Sequence, residues 1–326
     1  MKAIVINDFG GPEVLARADV ETPGPKHGEV LVQVNAVGVN RADILQRRGR
    51  YPAPPGVPKD IPGLEYAGVI VETGEGCRRR RVGDRIMGLV GGGACAEYLT
   101  IHEDENLSTP PAWSDEEAAA QPEAWFTAFD ALERRCRTRR GSVLLVHAVG
   151  GGVGLATLQL ARRLDCTVIG TSRTAAKLER ARAWGLQHAI IPHNKRFSTA
   201  CLDLTEGRGV DVLVDFIGAA YLEENIRSLA ECGQMVIIGL LGGVKATLPL
   251  HLVVGRRLSL HGTVLRSRPH REKALLTRAF ERHVLPDLIG GRLKKLPVEV
   301  MAMEEIGRAH QRIEDNDVFG KIVLKW

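Results

Sequence analysis

One heptapeptide of this 326-residue chain has the composition to meet an anion: Ala148-Val149-Gly150-Gly151-Gly152-Val153-Gly154. It follows an apolar, strand-like run, Val143–His147, and opens a helix-like one, Val153–Leu164. That strand–turn–helix context is what gives a glycine cluster chemical meaning. Glycines allow the tight turn and let the backbone approach a pyrophosphate, while the helix N-terminus offers N–H donors and a favourable dipole. A strict Gly-x-Gly-x-x-Gly is absent because Val149 stands at the first glycine place, so a purely structural turn is the alternative. The next strand ends in Thr171-Ser172-Arg173, with Lys177 one helical turn beyond. NAD sites place Asp or Glu about 20 residues after the glycines, against the ribose hydroxyls. Here a hydroxyl and two cations stand instead, and a forked guanidinium suits a 2′-phosphate. The pattern points to NADPH, against the alternative that Arg173 and Lys177 are only solvated helix charges.

The elements that must hold these residues fall into two patterns. Residues 1–110 contain short runs rich in Val, Ile and aromatic residues: Lys2–Ile6, Glu29–Val37, Tyr66–Thr73, Arg85–Leu89 and Ala96–Thr100. Gly10-Gly11-Pro12, Pro23-Gly24-Pro25 and Pro52 to Pro58 interrupt them, and Asn40–Arg47 suits a short helix. Ser114 with Glu117 has the spacing of a capping box ahead of an alanine-rich helix. Then apolar strands (Val143–His147, Thr167–Thr171, Ala189–Ile191, Val212–Phe216, Gln234–Ile238, Leu258–Thr263) alternate with helices that include Val153–Leu164, Ala175–Trp184 and Leu222–Ala230. Such alternation implies a parallel sheet covered on both faces. A helical stretch, His270–Gly290, and two candidate strands, Lys295–Pro297 and Lys321–Lys325, complete the chain. The last strand has little to pair with in a parallel sheet and is expected to return to the N-terminal strands. The expected domains are therefore 1–120 with 265–326, and 121–264.

Composition is that of a globular protein, with 44% hydrophobic and 25% charged residues. The net charge of +5 is partly gathered in Arg78–Arg81 and in Arg134 to Arg140. Neither run is interleaved with aromatic residues for stacking on bases, so no nucleic-acid partner is expected. The six cysteines form no Cys-x-x-Cys pair and suit free thiols in a reducing, cytoplasmic setting. Met1 and Lys2 lead straight into a strand, so no signal peptide is expected. Val143–Ala161 is about long enough to span a bilayer. It is interrupted by His147, Gln159 and the glycines, so no membrane span is expected.

Several further stretches carry a family likeness: Asn40-Arg41-Ala42-Asp43-Ile44-Leu45-Gln46-Arg47, Tyr51-Pro52-Ala53-Pro54-Pro55-Gly56, Pro62-Gly63-Leu64-Glu65, Val82-Gly83-Asp84-Arg85, Pro122-Glu123-Ala124-Trp125-Phe126-Thr127-Ala128-Phe129 and Gly320-Lys321-Ile322-Val323-Leu324. Together with the glycine motif, they make the chain resemble the zinc-independent quinone oxidoreductases of the medium-chain dehydrogenase/reductase superfamily. The likeness is strongest to the tumour-suppressor-inducible quinone reductase branch. It implies an α/β protein: a GroES-like β-barrel domain joined to a Rossmann domain with a doubly wound parallel sheet. The cleft between them would hold nicotinamide and substrate, and the protein would be a homodimer.

Zinc-dependent relatives carry Cys at the place of Asn40 and His at the place of Leu64, and they have a four-cysteine lobe that this sequence lacks. A catalytic zinc needs about three protein donors, so no metal is expected. The likeness then implies direct hydride transfer from NADPH to a small quinone or other conjugated carbonyl. It assigns Asn40 and Tyr51 to the substrate pocket. Asn40 is expected to donate to the acceptor oxygen, Tyr51 to stack or donate its hydroxyl, and Asp43 to support the loop. Thr127, Gly239, Leu240, Leu265 and Lys321 are expected on the cofactor side together with Ala148, Gly150, Gly151, Gly152, Val153, Gly154, Ser172, Arg173 and Lys177, and Leu265-Arg266-Ser267 resembles the family's loop over the nicotinamide. Many members have a Tyr near the place of Pro192, against the 2′-phosphate; here there is none. An enoyl or alkenal reductase on the same scaffold is the main alternative, and a non-catalytic crystallin or RNA-binding relative the other. His147, His251 and His261 are expected to be satisfied structural histidines.

Overall fold

The computed structural model describes residues 1–326 and divides into two compact units, Met1–Phe126 with Leu265–Trp326, and Thr127–Val264. In the first, β1 (Lys2–Ile6) and β2 (Leu15–Asp19) pair as an antiparallel ribbon. β3 (Glu29–Gly38), β4 (Glu65–Thr73), β5 (Arg85–Leu89), β6 (Tyr98–His102) and β7 (Asn106–Ser108) follow. The alternating apolar residues of β3 and β4 bury Val30, Val32, Val34, Tyr66 and Ile70. A fully buried apolar side chain of this size contributes about 1.5–3 kcal/mol, so this face is one substantial part of the core.

The chain next builds the second unit from β8 (Val143–Val146), β9 (Thr167–Thr171), β10 (His188–Ile190), β11 (Val210–Asp215), β12 (Leu229–Ile237) and β13 (Ser259–Gly262). All pair in parallel, in the order β10-β9-β8-β11-β12-β13. The strand order reverses between β8 and β11, which is the topological switch point where open α/β sheets bind ligands at their carboxyl ends. Leu145, Ile169, Leu213 and Met235 are fully buried in the core of this unit.

β14 (Val298–Ala302) and β15 (Lys321–Lys325) then close the first unit. β15 runs antiparallel to β3, with Val323 opposite Gly38, and parallel to β14. The return of the last strand to the N-terminal sheet is as the sequence implied. The sheet order is β14-β15-β3-β4-β5-β7, with β6 also on β3.

The differences from the sequence reading have local causes. The strand expected at Ala96–Thr100 lies at Tyr98–His102, because Ala96 makes only a single bridge, to Ala3. Lys295–Pro297 is not a strand. Pairing starts after the proline, and Pro297 instead accepts the Lys321 amide. The helix expected over His270–Gly290 is two, His270–His283 and Leu285–Ile289, because Pro286 lacks the amide the continuing helix needs. Val143–Ala161 is a strand, a turn and a helix, and no helix is long and apolar enough to cross a membrane.

Candidate active site

The glycine turn lies between β8 and the helix Gly152–Arg163. The helix forms because Leu155, Ala156, Leu158, Leu160 and Ala161 supply a continuous buried face. Its N-cap is Gly151, which has no side chain to cap the first turn, and no acidic residue lies in that turn. The first N–H groups of a helix have no intrahelical partner, so this end is left open to an anion. Gly151 and Gly154 have different reasons to be glycine. A Cβ at Gly154 would stand 2.7 Å from the Cα and carbonyl oxygen of Val149, so the helix can pack on the turn only there. A Cβ on Gly151 would meet only the Ala148 oxygen, at 3.5 Å. Its missing side chain keeps open the space outside the turn. The left-handed step falls on Ala148, at φ 45°. Val149 is fully buried and its amide donates to Thr171 O at 3.1 Å.

At the end of β9, Ser172 is buried, Arg173 is exposed and Lys177 half-buried. Arg173 makes no hydrogen bond or ion pair, and its charge acts on the Tyr221 phenol. Gly239 and Leu240 lie just past β12, where Ile238 N donates to Asp215 O at 2.8 Å. The Asp215 carboxylate accepts Ile217 N at 2.7 Å and Gly218 N at 3.1 Å, and burial pushes its pKa up to about 6. These turns lie at the carboxyl ends of the strands, where an open parallel sheet takes a dinucleotide. Thr127 is buried in the helix Pro122–Phe129.

In the first unit, Asn40 caps the short helix Arg41–Arg47 and Asp43 completes a capping box with it. Asp43 accepts Asn40 N at 2.7 Å and Gly63 N at 3.1 Å, and burial raises its pKa to about 6. Gly63 stands at φ +99°, and a Cβ there would meet Cys95 N at 2.6 Å, so the residue must be glycine. Asn40 Nδ2 donates to Glu65 Oε1 at 2.9 Å and to Gly38 O at 3.2 Å, while Oδ1 accepts from Lys321 Nζ at 2.5 Å. Lys321 Nζ also donates to Val39 O at 3.0 Å and pairs with Glu65 at 2.5 Å. Glu65 takes Glu123 N on its other oxygen at 2.9 Å.

Two expectations are corrected here. Both Nδ2 hydrogens of Asn40 are used within the protein, so its amide is not an open donor for an acceptor oxygen. All three N–H bonds of Lys321 end on Val39, Asn40 and Glu65, so it is the buried partner of Glu65 and not a cofactor ligand. Asp43, in contrast, spends both carboxylate oxygens on backbone amides, of Asn40 and Gly63. Tyr51 is half-buried and its hydroxyl has no partner in the protein. Leu265 is buried beside Leu89, Phe126 and Leu276.

The residues at the positions of zinc ligands do not fit a zinc ion. Leu64 has no donor atom, the Asn40 amide is committed, and the Lys321 ammonium already stands between Asn40 and Glu65. A dication there would face a buried cation.

For two residues the structure supplies partners that the sequence does not show. His147 is locked between Thr171 Oγ1 at 2.8 Å and Asn225 Oδ1 at 2.7 Å, and burial lowers its pKa to about 4. The ring is therefore a neutral crosslink between β8, β9 and the helix Leu222–Ser228, as suits a structural histidine. The other is Arg266, which is almost fully buried and bonded to Gly91, Tyr51 and Gln46. A guanidinium in an otherwise ordinary loop gives no sequence signal of its burial.

Two family models match: "Alcohol dehydrogenase GroES-like domain" over residues 26–111 and "Zinc-binding dehydrogenase" over residues 152–281. Quinone oxidoreductase-like protein 2 of Bos taurus is 32% identical over 93% of this chain and 87% of its own. The quinone oxidoreductase of Lama guanicoe is 31% identical over 99% of this chain and 97% of its own. Among solved structures, a Pseudomonas syringae pv. tomato quinone oxidoreductase superposes with TM-score 0.91 at 28% identity, covering 100% of this chain and 99% of that one. A mycobacterial protein solved in complex with NADPH gives 0.89 at 29%, covering 100% of both chains. The CurK enoyl reductase gives 0.87 at 25%, covering 99% of this chain and 98% of that one.

Proposed function

Since the chain belongs to the quinone oxidoreductase family of the medium-chain dehydrogenase/reductase superfamily, we propose that it is an NADPH-dependent, zinc-independent reductase of small quinones. The observation that carries this reading is the open helix N-terminus at Gly151–Val153 with the unpaired Arg173 at the end of the next strand. The helix end receives the pyrophosphate and Arg173 with Lys177 the 2′-phosphate. Bound NADPH supplies the hydride. The chain supplies orientation and exclusion of water, Tyr51 offers a ring and a hydroxyl to the acceptor, and solvent supplies the proton. An acceptor that is already electrophilic needs no Lewis acid, which agrees with a site unsuited to zinc.

A second reading, hydride transfer to the β-carbon of an enal, is favoured by the likeness to an enoyl reductase. NADPH oxidation with 1,2-naphthoquinone, 1,4-benzoquinone and a short enal separates the two. Arg173→Asp is expected to raise the KM for NADPH by more than about tenfold, the scale of a lost charge-assisted bond, with NADH little affected. Equal losses on both cofactors would remove the 2′-phosphate assignment. A homodimer is part of the proposal. β13 is the free edge of its sheet, and the nearby Val244, Leu250 and Val254 expose large apolar side chains. Placement in the tumour-suppressor-inducible branch and in the reducing cytoplasm, which suits six free thiols, are finer parts of the same proposal.

A further inference from the structure

The loop that carries Tyr51 has few means of holding its own shape. Pro52, Pro54, Pro55 and Pro58 cannot donate backbone hydrogen bonds. The loop's internal bonding amounts to Tyr51 N on Leu45 O at 3.2 Å and Val57 N on Pro54 O at 3.4 Å. One buried side chain reaches it from a distant part of the sequence. Arg266 is 4% exposed. Its Nε donates to Gly91 O at 2.6 Å, Nη1 to Tyr51 O at 2.9 Å and Nη2 to Gln46 Oε1 at 2.5 Å. Gln46 is itself held by Lys59 O, at 3.0 Å from its Nε2. The guanidinium carbon also lies 4.9 Å from the centre of the Tyr51 ring.

All three acceptors are neutral, and Arg266 forms no ion pair. A buried guanidinium without a carboxylate is costly, and burial lowers its pKa, while Asp43 is the acidic group that opposes this. The rigid fork fixes three segments at once: the helix bearing Gln46, the proline-rich loop and the Gly91 turn. A lysine would keep the charge and lose that geometry. The cation lies over one face of the Tyr51 ring.

We propose that Arg266 is the positioning residue that sets the Tyr51 ring as a flat platform, and so selects planar conjugated acceptors over open-chain ones. This rests on the quinone-reductase reading of Tyr51. The ring orientation is fixed by the forked hydrogen bonds and the stacked cation, not by charge alone.

The experiment compares wild type, Arg266→Lys, Tyr51→Leu and the double variant. Each is tested with 1,2-naphthoquinone and trans-2-hexenal, in NADPH turnover and in equilibrium dialysis of the acceptor alone. Arg266→Lys is expected to raise the naphthoquinone KM and Kd by about tenfold, the scale of an aromatic stacking contact. The naphthoquinone kcat, the hexenal KM and the NADPH Kd should change less than about twofold by the same measure. Tyr51→Leu should match it, and the double variant should lose nothing further. Equal losses on both acceptors, or additive losses in the double variant, would overturn the proposal. If Arg266→Lys fails to fold, Gln46→Met removes one acceptor of the fork and keeps the cation under the ring. A quinone-selective rise in Kd then supports the proposal, and none overturns it. If wild type binds naphthoquinone but reduces neither acceptor, the functional reading fails while the binding arm still decides the role of Arg266.

Discussion

The candidate site residues of the two units are arranged on opposite principles. Around Asn40, every polar side chain is answered from within the protein: Asn40, Asp43, Glu65 and Lys321 form a closed buried network. At the glycine turn almost nothing is answered, because Gly151 caps no amide and Arg173 pairs with nothing. A satisfied network holds shape; an unsatisfied one binds. Residue types alone do not show this difference, since Asn40, Asp43 and Lys321 suggest chemistry as readily as the glycine turn does.

The sharpest way to break this contrast is to open the closed network. Lys321→Met leaves the Glu65 carboxylate buried without its cation, and one-sided removal of a buried pair costs about 3–5 kcal/mol. The urea midpoint should fall accordingly. Glu65→Gln combined with Lys321→Met should recover part of the loss, because no lone charge remains. A Lys321→Met protein of normal stability but reduced NADPH affinity would return Lys321 to the cofactor side.

The converse test blocks the open half. Gly151→Val has room in the fold, where its Cβ meets only Ala148 O at 3.5 Å, but it fills the path of a pyrophosphate. NADPH affinity should fall by about a thousandfold or more, some 4 kcal/mol, with an unchanged melting temperature. Gly154→Val should instead unfold the turn, with its Cβ 2.7 Å from the Val149 backbone. Unchanged NADPH affinity in folded Gly151→Val would show that the turn is only structural.

Much of this was legible in the sequence, for reasons that differ by residue. Strand–helix alternation revealed the parallel sheet because its central strands, Val143–Val146 and Thr167–Thr171, are largely apolar and buried. The capping box of Ser114 with Glu117 is local, so spacing exposes it. The commitment of Asn40 to Lys321 was not legible, because those residues are 281 positions apart and meet only when β15 pairs with β3. The bonds of Arg266 were hidden for the same reason: its acceptors Gly91, Tyr51 and Gln46 are all remote in sequence.

A closed network also operates inside the cofactor unit, and pH separates it from the open turn. His147 has a pKa of about 4 in the folded protein against 6.5 for a free histidine. Above pH 6.5 both states leave it neutral and its contribution to stability is whole. As pH falls toward 4 the unfolded chain takes up the proton and the contribution is lost, by an amount of the order of 3 kcal/mol. Asp215 in the same unit, raised to about 6, has the opposite sign, because the folded state binds its proton more tightly and gains stability over the same fall. The wild-type profile blends the two. Against His147→Gln, the stability difference should shrink between pH 7 and pH 4 and stay flat below. A difference independent of pH would mean that the ring is not held neutral by burial.

The smallest expected effect tests whether strain at the open turn belongs to its function. Ala148 carries the left-handed step at φ 45° and is exposed. That conformation costs an L-residue about 1–2 kcal/mol, and glycine would relieve it. Glycine also gains freedom in the unfolded chain, which takes back about 0.4–1 kcal/mol. Ala148→Gly should therefore stabilise the protein by about 1 kcal/mol or less, a shift of about 2 °C or less at this size. If the Ala148 methyl only tolerates the turn, NADPH affinity will not change. If it holds the turn in the shape the pyrophosphate needs, the variant will be more stable and bind more weakly. Strain would then be part of what keeps the helix end open, just as hydrogen-bond closure keeps the Asn40 side shut.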